Sequence, residues 1–150
     1  MLKYTTLCYI EDEGKYLMLY RNKKKKDVNQ GKWIGVGGHK EDRETMEECL
    51  LREVYEETGL KLLSYTLRGK LHFTIDDLFE ISYLYTSNHI TGKLIECDEG
   101  KLEWISKEQI LQLNLWEGDY LFLEKLLNND DYFEMELIYK NDRLVEWRFL

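Results

Sequence analysis

The sequence predicts a single mixed α/β domain. Its 150 residues suit one domain and leave too little for a second, so residues 1–150 are read as one unit. Along most of the chain, apolar residues alternate with polar ones in short runs separated by Gly, Asn and Asp. One segment, 45–58, instead has helical spacing with its own start and stop signals. Antiparallel strands with two or three interspersed helices give a mixed α/β architecture rather than a bundle or a sandwich of sheets.

The segments follow in order. Residues 2–10 are rich in β-branched and aromatic side chains, and Glu13-Gly14 is a turn. In 15–21, Tyr16, Met18 and Tyr20 share one face, so the pair reads as a β-hairpin. Residues 22–32 are polar, with four successive lysines from Lys23, and read as an exposed loop. Three glycines within Gly35-Val36-Gly37-Gly38 signal close backbone approach or a bend. For 45–58, Thr45 and Glu48 have capping-box spacing, Gly59 suits the position after the helix, and Met46, Leu50, Leu51 and Val54 form the apolar stripe. Residues 61–75 read as a strand with a break near Gly69, and Asp76-Asp77 as a turn. Residues 78–86 read as a half-buried strand with Phe79, Ile81, Tyr83 and Tyr85 inward. A loop at 97–100 precedes a short strand at 101–105. Ser106 is placed to cap a short helix reaching Leu113, and 117–128 is a second helix. Residues 132–139 and 143–149 alternate around Asn141-Asp142, a hairpin signal. Trp104 and Trp147 are assigned to the core, while His72 and His89 are structural or exposed.

Composition narrows the function. Hydrophobic residues are 43% and charged residues 33%, which is globular and not disordered. Asp plus Glu is 29 against 21 Lys plus Arg, a net charge of -8, which argues against a general nucleic-acid-binding surface. An acidic protein still binds an anionic ligand when a metal ion sits between them. Cys8, Cys49 and Cys97 have no zinc or disulfide spacing and read as buried reduced thiols, as in a reducing compartment. No signal-peptide pattern is seen, and no apolar run approaches the roughly 20 residues that cross a bilayer. The expected location is the cytoplasm, with no membrane partner.

The helix at 45–58 carries Glu53, Glu56 and Glu57 at i, i+3 and i+4. At about 100° per residue they share roughly a third of the circumference. Like charges so placed repel, and a divalent cation removes that cost. Three carboxylates on a rigid face suit Mg²⁺ or Mn²⁺. Without further context, a solvated acidic face explains the same pattern.

The wider spacing selects between these readings. From Gly38 the chain runs Gly-x5-Glu44-x7-Arg52-Glu53-Val54-x-Glu56-Glu57-x-Gly59-Leu60. This resembles the Nudix box at all nine specified positions. The resemblance implies an α/β/α sandwich around a mixed β-sheet, and Mg²⁺- or Mn²⁺-dependent hydrolysis of a nucleoside diphosphate linked to another group. It implies Glu53, Glu56 and Glu57 as metal ligands, with the Gly38 carbonyl joining them and Arg52 and Glu44 as a supporting ion pair. Glu53 and Glu99 are the two candidates for the base that activates water, and Glu99 is a further candidate ligand.

Outside the box, Gly31-Lys32-Trp33-x-Gly35-x-Gly37-Gly38 and Leu115-Trp116-Glu117-Gly118-Asp119 resemble the oxidised-purine branch, the MutT-type and mammalian 8-oxo-dGTP hydrolases. That likeness implies Trp116 stacking on a purine, Asp119 reading its edge, and Arg21 and Lys23 facing the phosphates. His39 stands where that branch usually has Lys, Ile34 where the mammalian enzyme has Asn, and Gly118 replaces one of two adjacent acids. The implied reaction converts a purine nucleoside triphosphate, 8-oxo-dGTP being favoured, into the monophosphate and pyrophosphate, as in nucleotide-pool sanitation. A dinucleoside polyphosphate, ADP-ribose or a nucleotide sugar is the alternative substrate. A catalytically silent nucleotide-binding module ranks below both because every box carboxylate is present. Monomer and homodimer are equally open.

Overall fold

The computed structural model describes residues 2–150. Strands β1 (Leu2–Asp12) and β2 (Lys15–Tyr20) form the first hairpin, and short β3 (Trp33–Ile34) and β4 (Val36–His39) follow. Helix α1 (Met46–Thr58) leads into two long strands, β5 (Leu60–Ile75) and β6 (Leu78–Gly92). Then come β7 (Lys101–Ser106), a 3₁₀ helix (Lys107–Gln112), α2 (Asp119–Leu127), and a closing hairpin of β8 (Phe133–Lys140) and β9 (Arg143–Phe149).

The nine strands form a mixed sheet whose main path runs β3-β2-β1-β6-β5-β8-β9, with β4 beside β1 and β7 beside β2. The β1–β6 and β5–β8 pairs are parallel and the others antiparallel. The alternation of β1 and β2 splits the core in two. Cys8, Ile10, Leu17 and Leu19 pack under α1 with Leu50 and Val54. Tyr9, Tyr16 and Met18 point the other way and pack under α2 with Phe122, Leu123 and Leu126. The expected sandwich follows, one helical layer on each face. Among the described residues, no helix is long and apolar enough to cross a membrane.

The α1 signals act as read. Thr45 Oγ1 accepts the Glu48 N–H at 3.1 Å, and Glu48 Oε1 accepts the Thr45 N–H at 2.8 Å. Gly59 is left-handed at φ +79° and its N–H donates to the Tyr55 carbonyl at 2.8 Å. The stripe holds at Leu50 and Val54, whereas Met46 is only half-buried, Leu51 is exposed, and Cys49 is buried instead.

Other expectations are corrected. β6 runs on to Gly92 and is buried on both faces, with Leu84 under α2 and Tyr85 under α1, while Phe79 is exposed. A strand between two helical layers has no polar face, so simple alternation misreads it. β5 is continuous through Gly69, and bulges absorb the irregularity. The segment after Ser106 is a 3₁₀ helix, and the Ser106 side chain makes no capping bond. Trp147 is 45% exposed because β9 is a sheet edge, whereas Trp104 does pack against the α1-side core. All three cysteines are buried and free.

Candidate active site

One end of the site is built on α1. Arg52 grips Glu44 with two bonds, Nε to Oε2 at 3.0 Å and Nη2 to Oε1 at 2.7 Å. Its Nη1 reaches Glu53 at 2.8 Å and Glu56 at 3.3 Å, and its Nη2 also donates to the His39 carbonyl at 3.1 Å. Hydrogen bonds from Arg52 and from the Glu41 N–H hold the Glu44 carboxyl down at about 2. Burial pushes Glu53 up, with Arg52 opposing. The like-charge repulsion expected on this helix face is thus met by one guanidinium.

Glu57 turns away from Arg52. It is 8% exposed and accepts the Gly37 N–H at 2.7 Å. The α1–β5 junction and the 93–100 loop bring it against Glu99, so that ligand atoms of Glu57, Glu99 and Cys97 lie within 4.8 Å of one another. Glu99 also pairs with Arg21 at 3.3 Å and Lys24 at 3.4 Å. Burial and the Glu99 carboxyl push Glu57 up, while the Glu57 hydrogen bond, Arg21 and Lys24 outweigh burial and hold Glu99 down. Two carboxylates so close share one proton unless a cation replaces it. Paired carboxylate oxygens are hard donors and fit Mg²⁺ or Mn²⁺, with the Cys97 sulfur a softer neighbour.

The glycines before α1 permit this approach. A Cβ on Gly38 would stand 2.4 Å from the Glu53 carboxyl carbon, so only glycine lets that carboxylate lie over the backbone. The Gly38 carbonyl faces the Cys49 thiol at 3.7 Å. Glu56 is exposed, at 57% for its side chain.

The other end is a groove of about 310 Å³ between the sheet and the start of α2, lined by Phe73, Ile75, Tyr139, Trp116 and Asp119, with Val28, Asn29, His39, Glu80 and Asp142 at its margins. Trp116 is fixed by its Nε1–H on Asn29 Oδ1 at 2.7 Å and by an edge contact with Tyr139 at 6.0 Å. Lys32 Nζ sits 5.1 Å from its ring centre. Asp119, the first residue of α2, is 7% exposed, and its carboxylate has no hydrogen-bond partner among the described residues. Burial pushes it up to about 8, with only Lys32 opposing. His39 joins the two ends. Its ring lines the groove and pairs with Glu80 at 3.2 Å, and its carbonyl takes Arg52.

The structure therefore brings Glu44, Arg52, Glu53 and Glu56 into one network, sets Glu57 against Glu99, and puts His39, Trp116 and Asp119 in the groove. Arg21 lies at the acidic end, its Nε on Asp27 at 2.7 Å. Lys23 donates to the Cys97 carbonyl at 2.8 Å. Ile34 is outside the groove: it packs in the α1-side core, while its neighbour Trp33 faces the other way, 4.9 Å from the Tyr20 ring. The groove residues Asn29, Phe73, Ile75 and Tyr139 have no sequence signal beyond strand or loop character. A larger cleft of about 790 Å³, around Arg68 and Tyr132, contains none of these groups.

Comparison with known proteins identifies the family. The chain is 28% identical over 132 residues to the uncharacterized Nudix hydrolase YvcI of Bacillus subtilis, covering 84% of this chain and 80% of that protein. It is 28% identical over 112 residues to the oxidized purine nucleoside triphosphate hydrolase of Mus musculus, covering 73% and 71%. The crystal structure of a MutT protein from Bacillus halodurans superposes with a TM-score of 0.89 at 26% identity, covering 98% of this chain and 97% of that one. A NUDIX domain model matches residues 1–126, and with the acidic helix and its arginine in place the chain belongs to the Nudix hydrolase family.

Proposed function

We propose that this Nudix hydrolase cleaves purine nucleoside triphosphates to the monophosphate and pyrophosphate, with an oxidised guanine nucleotide such as 8-oxo-dGTP favoured, and so sanitises the cytoplasmic nucleotide pool. The observation that supports this most is the buried, unpartnered Asp119 carboxyl beside Trp116, in a groove joined to the acidic helix through His39. Trp116 offers an aromatic face for a base. An ionised Asp119 accepts from the N1–H and N2–H of guanine, and a protonated one donates to O6 while accepting N1–H. A base that leaves this carboxyl unmatched is penalised, which gives selectivity. The name of the mouse relative points the same way.

On this reading Glu53, Glu56, Glu57, Glu99 and the Gly38 carbonyl hold Mg²⁺ or Mn²⁺. When bound, such an ion supplies charge for the phosphate oxygens and an acidified water. Arg52 and Glu44 orient the carboxylates. Glu53 or Glu99 takes the proton from the attacking water. Arg21 and Lys23 set positive charge beside the phosphate end.

Product analysis with a nucleotide panel in Mg²⁺ tests this. Pyrophosphate should appear fastest from 8-oxo-dGTP, ahead of dGTP and the pyrimidine triphosphates, and turnover should stop with chelator. Preferred cleavage of ADP-ribose or a dinucleoside polyphosphate overturns the substrate assignment and leaves the acidic helix intact as the catalytic end.

A further inference from the structure

The open edge of the sheet at β9 has an unusual composition. β9 is the last strand on the main path, paired on one side only, with β8. Its side chains Val145, Trp147 and Phe149, with Leu150 beyond it, are each 44–61% exposed. Trp147 and Phe149 stack edge to face at 5.7 Å, Phe149 meets Phe133 the same way at 6.3 Å, and Lys125 Nζ sits 4.6 Å from the Phe149 ring centre, so the aromatic pair is held in place on the sheet face.

The backbone register shows which groups are available. Phe149 lies opposite Met135, and the Leu150 N–H donates to the Glu134 carbonyl. In an antiparallel ladder, inward and outward peptide groups alternate. The N–H and C=O of 146 and 148 therefore face β8, and those of Trp147 and Phe149 face outward. The pairing jumps from Ile138↔Glu146 to Tyr139↔Leu144, leaving Val145 in a bulge. Beyond the bulge Glu117 accepts the Leu144 N–H at 3.0 Å and Arg143 Nε at 2.9 Å, which closes that end. The open straight edge is 146–150.

We propose that this edge is the docking site for a second copy of the same chain, paired antiparallel about a two-fold axis at Trp147. Self-complementarity selects both occupant and register. With Trp147 opposite the partner's Trp147, each Trp147 N–H meets the other Trp147 carbonyl. Glu146 then faces Arg148 of the partner subunit, and Arg148 faces the partner's Glu146. Shifting the axis to residue 146 or 148 sets two glutamates or two arginines opposite each other, which is unfavourable. Glu146 makes no ion pair within its own chain among the described residues, whereas Arg148 already holds Glu136 at 3.1 Å. Such a contact is isologous and closed, so it gives a dimer joined through residues 146–148 of the two edges, with Phe149 of each chain set beside the apolar Val145 of the partner subunit. The active-site groups lie on other elements and are left open.

Sedimentation across a concentration series, on wild type, Glu146→Arg, Arg148→Glu and the double reversal, tests the proposal. Wild type should show a mass twice that of the chain. Each single reversal places two like-charge pairs at the axis and should weaken the dimer roughly tenfold. The double reversal should restore it. Circular dichroism and nucleotide turnover should stay at wild-type level in all four, which separates loss of pairing from loss of fold. A wild type that is monomeric throughout, a dimer indifferent to the single reversals, or a double reversal that stays monomeric overturns the proposal. Open-ended aggregates in place of a dimer overturn it as well.

Discussion

Helices α1 and α2 each carry carboxylates at the candidate site, and they differ in how many hydrogen-bond donors meet them. On α1, Glu53 and Glu56 share Arg52, which also holds Glu44, and Glu57 accepts a backbone N–H before it meets Glu99. On α2, Asp119 is buried at the groove and makes no side-chain hydrogen bond among the described residues, with Lys32 the one charge opposing its burial. On the proposed reading Arg52 orients the α1 carboxylates for a cation: it holds Glu44 down, while burial pushes Glu53 and Glu57 up until a cation replaces the proton. An isolated buried acid is costly until a ligand supplies the missing bonds, as a selective pocket requires. On the proposed reading, the same residue type serves two tasks through what surrounds it.

The largest effect separates the ends outright. On the proposed reading, Glu57→Gln removes one of the two carboxylates that meet at the acidic end, and kcat should fall roughly 10²–10³-fold with KM little changed. The helix should survive, because Gln keeps the acceptor for the Gly37 N–H. Initial rates in saturating Mg²⁺ check this, with isothermal titration of Mn²⁺ reporting the lost cation affinity independently. A variant with wild-type kcat would move the catalytic centre off Glu57.

Asp119→Asn probes the groove through stability. Its folded carboxyl lies at about 8 against an ordinary value of 3.8. A group raised on folding adds stability that is complete below the unfolded value and is lost as pH climbs through the folded one. Wild type should therefore lose on the order of a few kcal/mol between pH 4 and pH 8 from this residue. Asn carries no such proton, so the variant should melt above wild type at pH 8, and the gap should close towards pH 4. The acidic end titrates equally in both proteins and drops out of the difference. Parallel melting curves across that range would mean that Asp119 is ionised in the folded protein.

These two ends also differ in how far the sequence reveals them. The α1 end is local: capping box, apolar stripe, Gly59 and the spacing of Arg52 and its acids all lie within 44–60, where helical geometry alone fixes who meets whom. Glu99 and the groove depend on strand pairing across long separations. Asn29 comes from a lysine-rich loop, Phe73 and Ile75 from β5, and Tyr139 from β8, and nothing local says that they converge on Trp116. The same limit explains Ile34 and Trp147. Alternation gives a strand's two faces, but not which layer covers each face, and at β9 nothing covers Trp147.

Trp116→Ala carries the smallest effect and the sharpest contrast with the acidic end. Stacking of a base on an aromatic ring is worth about 1–3 kcal/mol, so KM should rise roughly tenfold. Stacking on the bound base is present before and during phosphate cleavage, so kcat should hold. The substitution also frees Asn29 and removes the edge contact with Tyr139, so loss of groove shape could imitate loss of stacking. Trp116→Phe distinguishes them. It keeps an aromatic face and gives up the Nε1–H to Asn29. If stacking dominates, Phe should recover most of the wild-type KM. If Asn29 anchoring dominates, Phe should behave like Ala, and Asn29→Ala should reproduce the defect in the presence of an intact Trp116. A fall in kcat in either Trp116 variant would tie the groove to the chemical step, and the division of labour between the two helices would fail.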